Sequence, residues 1–166
     1  MFSTYHAALT KLENGLDERF EQSVNVISQT GQHVIICGMG KSGLVGRKIA
    51  ATLSSTGTAA LFLHPAEAIH GDLGMVREKS VVILISHSGE TEEVVKLLPA
   101  LRRLDTKIIA LVGSLDSTLA KASNIVLDAS IDKEACPLNL APTTSTLTTL
   151  VTVSYTHLTL PTICSV

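Results

Sequence analysis

Two segments of this chain place glycines and hydroxyl side chains directly after an apolar run: His33-Val-Ile-Ile-Cys-Gly-Met-Gly-Lys-Ser-Gly43 and Ser80-Val-Val-Ile-Leu-Ile-Ser-His-Ser-Gly-Glu-Thr91. Where a strand ends and a helix begins, the first helical N–H groups have no intrahelical partner and sit at the positive end of the helix dipole, which favours an anion. Glycine lets a ligand approach closely, and serine or threonine adds donors. Two such junctions at the carboxyl ends of parallel strands open onto one crevice, where ligands bind in open α/β sheets. The chemistry this suits is the capture of a phosphorylated small molecule, with Gly40, Ser42, Ser86, Ser88, Gly89 and Thr91 as the phosphate-binding candidates.

Other phosphate motifs fit less well. Gly38, Gly40 and Gly43 satisfy G-x-G-x-x-G, but a dinucleotide site also wants an acidic residue near the end of the second strand, and Leu63 is followed by His64 and Pro65. A nucleoside triphosphate loop would need glycine where Ile35 stands. Lys41, between two glycines and beside Ser42, is a cation for a phosphate or for an anionic intermediate. Ser88 or Thr91 also suits the cap of the next helix, and the two uses are compatible. Glu92 and Glu93 open that helix, where carboxylates complement the dipole. The segment His64–Gly74 is dense in polar groups; His70 there is as readily solvated as functional, and Asp72 between glycines suits a turn. Asp132 and Glu134 follow the last apolar run, placed to join the crevice or to face water.

The elements that must hold these residues follow from periodicity. Leu9, Leu12, Leu16, Phe20, Val24 and Ile27 recur at helical spacing and predict one amphipathic opening helix ending near Gly31. Five apolar runs, 33–37, 59–63, 80–85, 107–112 and 125–128, are the candidate strands. Segments 42–55 and 90–104 carry helical periodicity, with Pro99 expected to kink the second. Strands alternating with helices predict an α/β fold, a doubly wound parallel sheet with helices on both faces. Thr143–Val153 is a candidate buried helix capped by a hydroxyl. From Ala135 to Val166 no Asp, Glu, Lys or Arg occurs, although 17% of the chain is charged.

Composition narrows the class. At 166 residues the chain suits one domain with a single sizeable core. It is 45% apolar, yet no unbroken apolar run approaches the roughly 18 residues that span a bilayer, and the opening residues lack a signal-peptide pattern, so no membrane and a cytoplasmic location are expected. Thirteen basic against fifteen acidic residues leave a net charge of −2, which argues against nucleic acid. Aromatic residues are 3% with no tryptophan, so stacking platforms for bases or sugars are lacking. Cys37, Cys136 and Cys164 are far apart and form no C-x-x-C pair, which fits reduced thiols and gives a metal cage no support.

Taken together, Gly38-Met-Gly-Lys-Ser-Gly43, Lys48-Ile-Ala-Ala-Thr-Leu53, His64-Pro-Ala-Glu-Ala-Ile-His-Gly-Asp-Leu-Gly74, Ser86-His-Ser-Gly-Glu-Thr91 and Glu134-Ala-Cys-Pro-Leu-Asn-Leu-Ala-Pro-Thr-Thr-Ser-Thr146 closely resemble the sugar isomerase (SIS) domain of arabinose 5-phosphate isomerases. The resemblance runs from the first helix to Val151. It implies a flavodoxin-like, three-layer αβα sandwich on a five-stranded parallel sheet, and a homotetramer whose active sites are built from neighbouring subunits. It also implies interconversion of ribulose 5-phosphate and arabinose 5-phosphate, which supplies 3-deoxy-manno-octulosonate for bacterial lipopolysaccharide or capsule, with no cofactor and no metal. On the resemblance Lys41, His70, Glu93 and Glu134 align with catalytic positions, and Ser42, Ser86, Ser88 and Thr91 with phosphate loops. Enediol isomerisation needs a base and a group that stabilises the developing oxyanion. Glu134 or Glu93 suits the base, Lys41 the stabiliser, and His70 ring opening or proton shuttling.

Family members continue past Val151 with another helix, a further active-site histidine and often a pair of CBS regulatory modules. This chain instead runs Thr152-Val-Ser-Tyr-Thr-His-Leu-Thr-Leu-Pro-Thr-Ile-Cys-Ser-Val166. The expectation is a SIS domain over 1–151, shortened at its C-terminal end, followed by an unrelated or appended tail over 152–166 in which His157 does not replace the missing histidine. Two other readings compete with the isomerase. One is a non-catalytic SIS module that senses a sugar phosphate, which has no need of Lys41, His70, Glu93 and Glu134 together. The other is a nucleotide-cofactor site in the glycine turn.

Overall fold

A computed structural model describes residues 2–138 and 141–159, with side chains followed to Thr152. The five apolar runs form strands β1 (Val34–Gly38), β2 (Ala60–Leu63), β3 (Val81–Ser86), β4 (Lys107–Val112) and β5 (Ile125–Asp128), all parallel, in the order β2-β1-β3-β4-β5. Eight helices accompany them among the described residues: α1 (Phe2–Asn14), α2 (Glu18–Gln29), α3 (Gly40–Ser55), α4 (Pro65–Ile69), α5 (Glu92–Val95), α6 (Leu98–Arg103), α7 (Thr118–Ala122) and α8 (Thr144–Thr159), with a 3-10 turn over Asp72–Met75. None is long and apolar enough to cross a membrane.

β1 and β3 are buried from end to end, because both faces of the sheet are covered. Alternate residues point to opposite faces. Val34, Ile36, Ile83, Ile85, Ile109 and Leu111 pack against Ile27 of α2, Val45, Ile49 and Leu53 of α3 and Leu150 of α8. Ile35, Cys37, Val82, Leu84, Ile108 and Ala110 pack against α4, α5, α6 and α7 through Ala68, Val94, Leu98, Leu101 and Leu119. The connection that steps from β1 to β2 thus lies on one face, and those that step the other way lie on the opposite face. That division is the doubly wound arrangement, and the result is the expected three-layer sandwich.

Gly43 lets α3 lie close on β1: a Cβ there would stand 2.6 Å from the Gly38 carbonyl oxygen. One turn on, Arg47 places its guanidinium 4.3 Å from the centre of the Phe62 ring, tying α3 to the edge strand β2.

Three local expectations are corrected. The single opening helix is two, because Gly15 closes α1 and Asp17 begins α2 by accepting from the Arg19 N–H at 2.9 Å. The kink at Pro99 is a full break before it: α5 ends at Val95, and Pro99 falls in the first turn of α6, where its missing N–H costs nothing. The helix expected over 143–153 is α8, but its N-terminus is held by a carboxylate rather than a hydroxyl. α8 buries Thr144, Thr148, Thr149 and Thr152 against α1, α2 and α3. This is possible because Thr148, Thr149 and Thr152 donate to carbonyls one turn back at 3.0, 2.9 and 2.7 Å. Of the tail expected over 152–166, the backbone to Thr159 continues α8, and residues 160–166 lie outside the described residues.

Candidate functional site

The strand order reverses direction between β1 and β3, and the two glycine-hydroxyl loops are those that follow these strands. Gly38 pairs with Ile85, so both loops leave the same edge of the sheet side by side. In an open α/β sheet this reversal is where a crevice forms and ligands bind. A small cleft opens here, lined by Lys41, Ser42 and Val45 of α3, His87 of the second loop, and Pro142, Ser145, Thr146 and Thr149 at the start of α8.

Each wall has a local cause. Met39 caps α3 in extended conformation and Gly40 turns with φ of +53°, which leaves the first N–H groups of α3 facing outward beside Lys41 and Ser42. Lys41 is exposed and makes no ion pair among the described residues. In the second loop Ser86 is buried; its hydroxyl accepts from the Gly89 N–H at 3.1 Å and shares a hydrogen bond with the Thr91 hydroxyl at 2.7 Å. Ser88 is exposed and accepts from the Glu90 N–H at 3.2 Å. Gly89 has φ of +68°, and a Cβ there would collide with Ser117, so this position requires glycine. Glu90 turns away and accepts from the Thr118 N–H at 2.6 Å, at the start of α7. That hydrogen bond lowers its pKa below the usual carboxylate range.

Glu134 stands behind the α8 wall. Its carboxylate accepts from the N–H groups of Thr143 and Thr144 at 2.8 and 2.6 Å and from the Ser145 hydroxyl. Burial works against its charge, but the Ser145 hydroxyl and the backbone donors of Thr144, Ser145 and Thr143 outweigh it, and its pKa lies below the ordinary value. Glu134 therefore joins the cleft through Ser145. His70 ends α4 beyond β2, exposed, and Glu93 lies half-buried in α5; neither lines the cleft of the single chain. Cys37 is sealed in β1 with its thiol pushed up to about 12 by burial, a core group and not a nucleophile. No group of three or more His, Cys, Asp or Glu among the described residues is placed to hold a metal ion.

The structure thus gathers Lys41, Ser42 and the Ser86–Thr91 loop at one edge and brings Glu134 to it from the far end of the sheet. The family model described as SIS domain matches residues 27–158. The chain belongs to the SIS domain family. This SIS domain is 52% identical over 146 residues to the arabinose 5-phosphate isomerase KdsD of Francisella tularensis, covering 86% of the chain and 45% of that relative. It is 50% identical over 144 residues to KdsD of Pseudomonas aeruginosa, covering 87% and 44%. The chain spans a little under half the length of these relatives. An Escherichia coli CFT073 protein solved in complex with arabinose 5-phosphate superposes with a TM-score of 0.85 at 38% identity, over 95% of this chain and 86% of that one.

Reasoning from sequence missed His87, Ser145 and Thr146 as lining residues. His87 had a signal, since it stands between two serines assigned to phosphate. Ser145 and Thr146 had none of that kind, because only the return of α8 across α3 carries them to the cleft.

Proposed function

We propose that this SIS domain is an aldose–ketose isomerase that interconverts D-ribulose 5-phosphate and D-arabinose 5-phosphate through an enediol. The observation that carries the reading is the pairing of β1 with β3, which sets two glycine-hydroxyl loops side by side, with Lys41 of the first, which makes no ion pair among the described residues, on the wall of the cleft. In this reading the phosphate rests on the free N–H groups from Gly40 to Ser42, the Ser42 and Ser88 hydroxyls and the Ser88 N–H, while Ser86, Gly89 and Thr91 hold the loop in shape. The sugar then extends toward Lys41, whose ammonium meets the negative charge that develops on the enediol oxygens. A glutamate, Glu134 or Glu93, moves the proton between C1 and C2, and His70 assists ring opening or shuttles a proton. No step calls on a cofactor.

The likeness to two isomerases named for arabinose 5-phosphate, and to a structure that contains this sugar phosphate, supports the substrate assignment. The space in the cleft, about 40 Å³, is small beside the roughly 300–1,000 Å³ of small-molecule sites. This supports a homo-oligomer, a tetramer by resemblance, in which a neighbouring subunit completes each site. His70 fits such sharing. It is exposed and flanked by the exposed apolar side chains of Ile69 and Met75, as a residue offered across an interface would be. The product feeds 3-deoxy-manno-octulosonate synthesis for lipopolysaccharide or capsule, in the cytoplasm.

The test is direct. The purified chain is incubated with ribulose 5-phosphate and arabinose 5-phosphate is followed with time. Formation of the aldose is expected; tight binding without turnover would replace the isomerase with a sugar-phosphate sensor.

A further inference from the structure

His87 occupies a place in the cleft that the reaction scheme leaves unused. Its backbone is pinned, because its carbonyl accepts the Gly113 N–H at 2.8 Å, linking the loop after β3 to the loop after β4. Its ring is held as well. A Cβ on Gly113 would come within 2.5 Å of the imidazole Nδ1 and collide with Cε1, so the Nδ1–Cε1 edge lies flat against the glycine. Yet the side chain is exposed and lines the cleft, and neither ring nitrogen has a hydrogen-bond partner among the described residues. An imidazole seated against a glycine, with unused nitrogens and between two serines of an anion-binding loop, is placed to donate.

We propose that the His87 imidazole donates to the phosphate of the bound sugar phosphate, so that phosphate capture by this chain depends on this ring and on its seat against Gly113. The inference rests on the sugar-phosphate reading of the cleft. The groups facing His87 suit an anion. Across the cleft α3 presents Lys41. α8 presents Pro142, Ser145, Thr146 and Thr149, none of them charged, with Glu134 held behind Ser145. A phosphate seated between Lys41 and His87 is met by the ammonium on one side and an imidazole N–H on the other.

The experiment titrates wild type and His87→Ala with arabinose 5-phosphate, and separately with inorganic phosphate, at one fixed pH. Kd is expected to rise about tenfold in the variant for both probes, the worth of one hydrogen bond to a charged group. Gly113→Ala, which keeps the imidazole but crowds it off its seat, is expected to weaken binding of both probes in the same direction while the thermal melt shows a folded protein. An unchanged Kd in either variant for both probes, or no binding of either probe by the wild type, overturns the inference. The isomerase reading fails separately: a wild type that binds arabinose 5-phosphate with the His87 dependence but turns nothing over keeps this inference and loses that one.

Discussion

The Glu134 carboxylate receives the first N–H groups of α8 and the Ser145 hydroxyl, so its charge is stabilised where it stands. With its pKa lowered in the fold, the unfolded chain takes up the proton first. The stabilisation is therefore complete above the unfolded-state value of about 4.3 and is lost as pH falls through the lower folded value. Glu134→Gln is expected to cost about 0.5–2 kcal/mol at neutral pH, the usual worth of a helix cap, and the gap between the two thermal melts should close as the pH drops below 4 or so. Lys41 makes no ion pair among the described residues, so Lys41→Ala is expected to leave the melt unchanged while lowering kcat by about 10²–10³-fold, the range for losing one oxyanion-stabilising group. Parallel calorimetry and rate measurements separate the two residues. Much of this was legible beforehand: glycines, hydroxyls and a lysine after an apolar run already spell an anion site. What spacing does not convey is which side chains face inward. Ser86 reads like Ser88 in the sequence, yet the first is buried in the loop's own hydrogen bonds and the second is exposed.

At the scale of elements, the site depends on loops whose shape is enforced by contacts too close for a side chain. Gly43→Ala would set a methyl 2.6 Å from the Gly38 carbonyl and push the N-terminus of α3 off β1, at an overpacking cost of about 1–3 kcal/mol. Gly89→Ala adds the penalty of a left-handed residue, about 1–2 kcal/mol, and displaces Ser117, whose hydroxyl accepts from the Ala120 N–H at the start of α7. Both variants are expected to melt lower and to bind arabinose 5-phosphate more weakly, as calorimetric titration would register, because the loops move with the helices. The strands were readable to within about a residue, since burial on both faces makes β1 and β3 continuous apolar runs. The break between α1 and α2 was harder to see. The apolar spacing runs straight through Gly15 and Asp17, and only the Asp17 cap shows that the chain starts afresh. α8 was obscured for a different reason: threonine is a mediocre helix former, and the hydroxyl-to-carbonyl bonds that let it be buried leave no mark in a periodicity.

For the molecule as a whole, the separation of His70 from the cleft carries the sharpest consequence. β2 lies at one edge of the sheet, and the connection after it leaves His70 exposed between Ile69 and Met75, while Lys41 follows the neighbouring strand β1 and faces the cleft. If each site takes Lys41 from one chain and His70 from the next, then Lys41→Ala and His70→Ala damage opposite halves of a shared site. Each variant alone is expected to be nearly inactive. Unfolded together and reassembled in equal amounts, they should regain activity, because a random assembly pairs an intact lysine with an intact histidine in about one site in four. Light scattering on the wild type should report an oligomer, a tetramer in this reading, and the recovered rate should approach about a quarter of the wild-type value. Recovery that stays at the level of the separate variants would return His70 to its own chain's site.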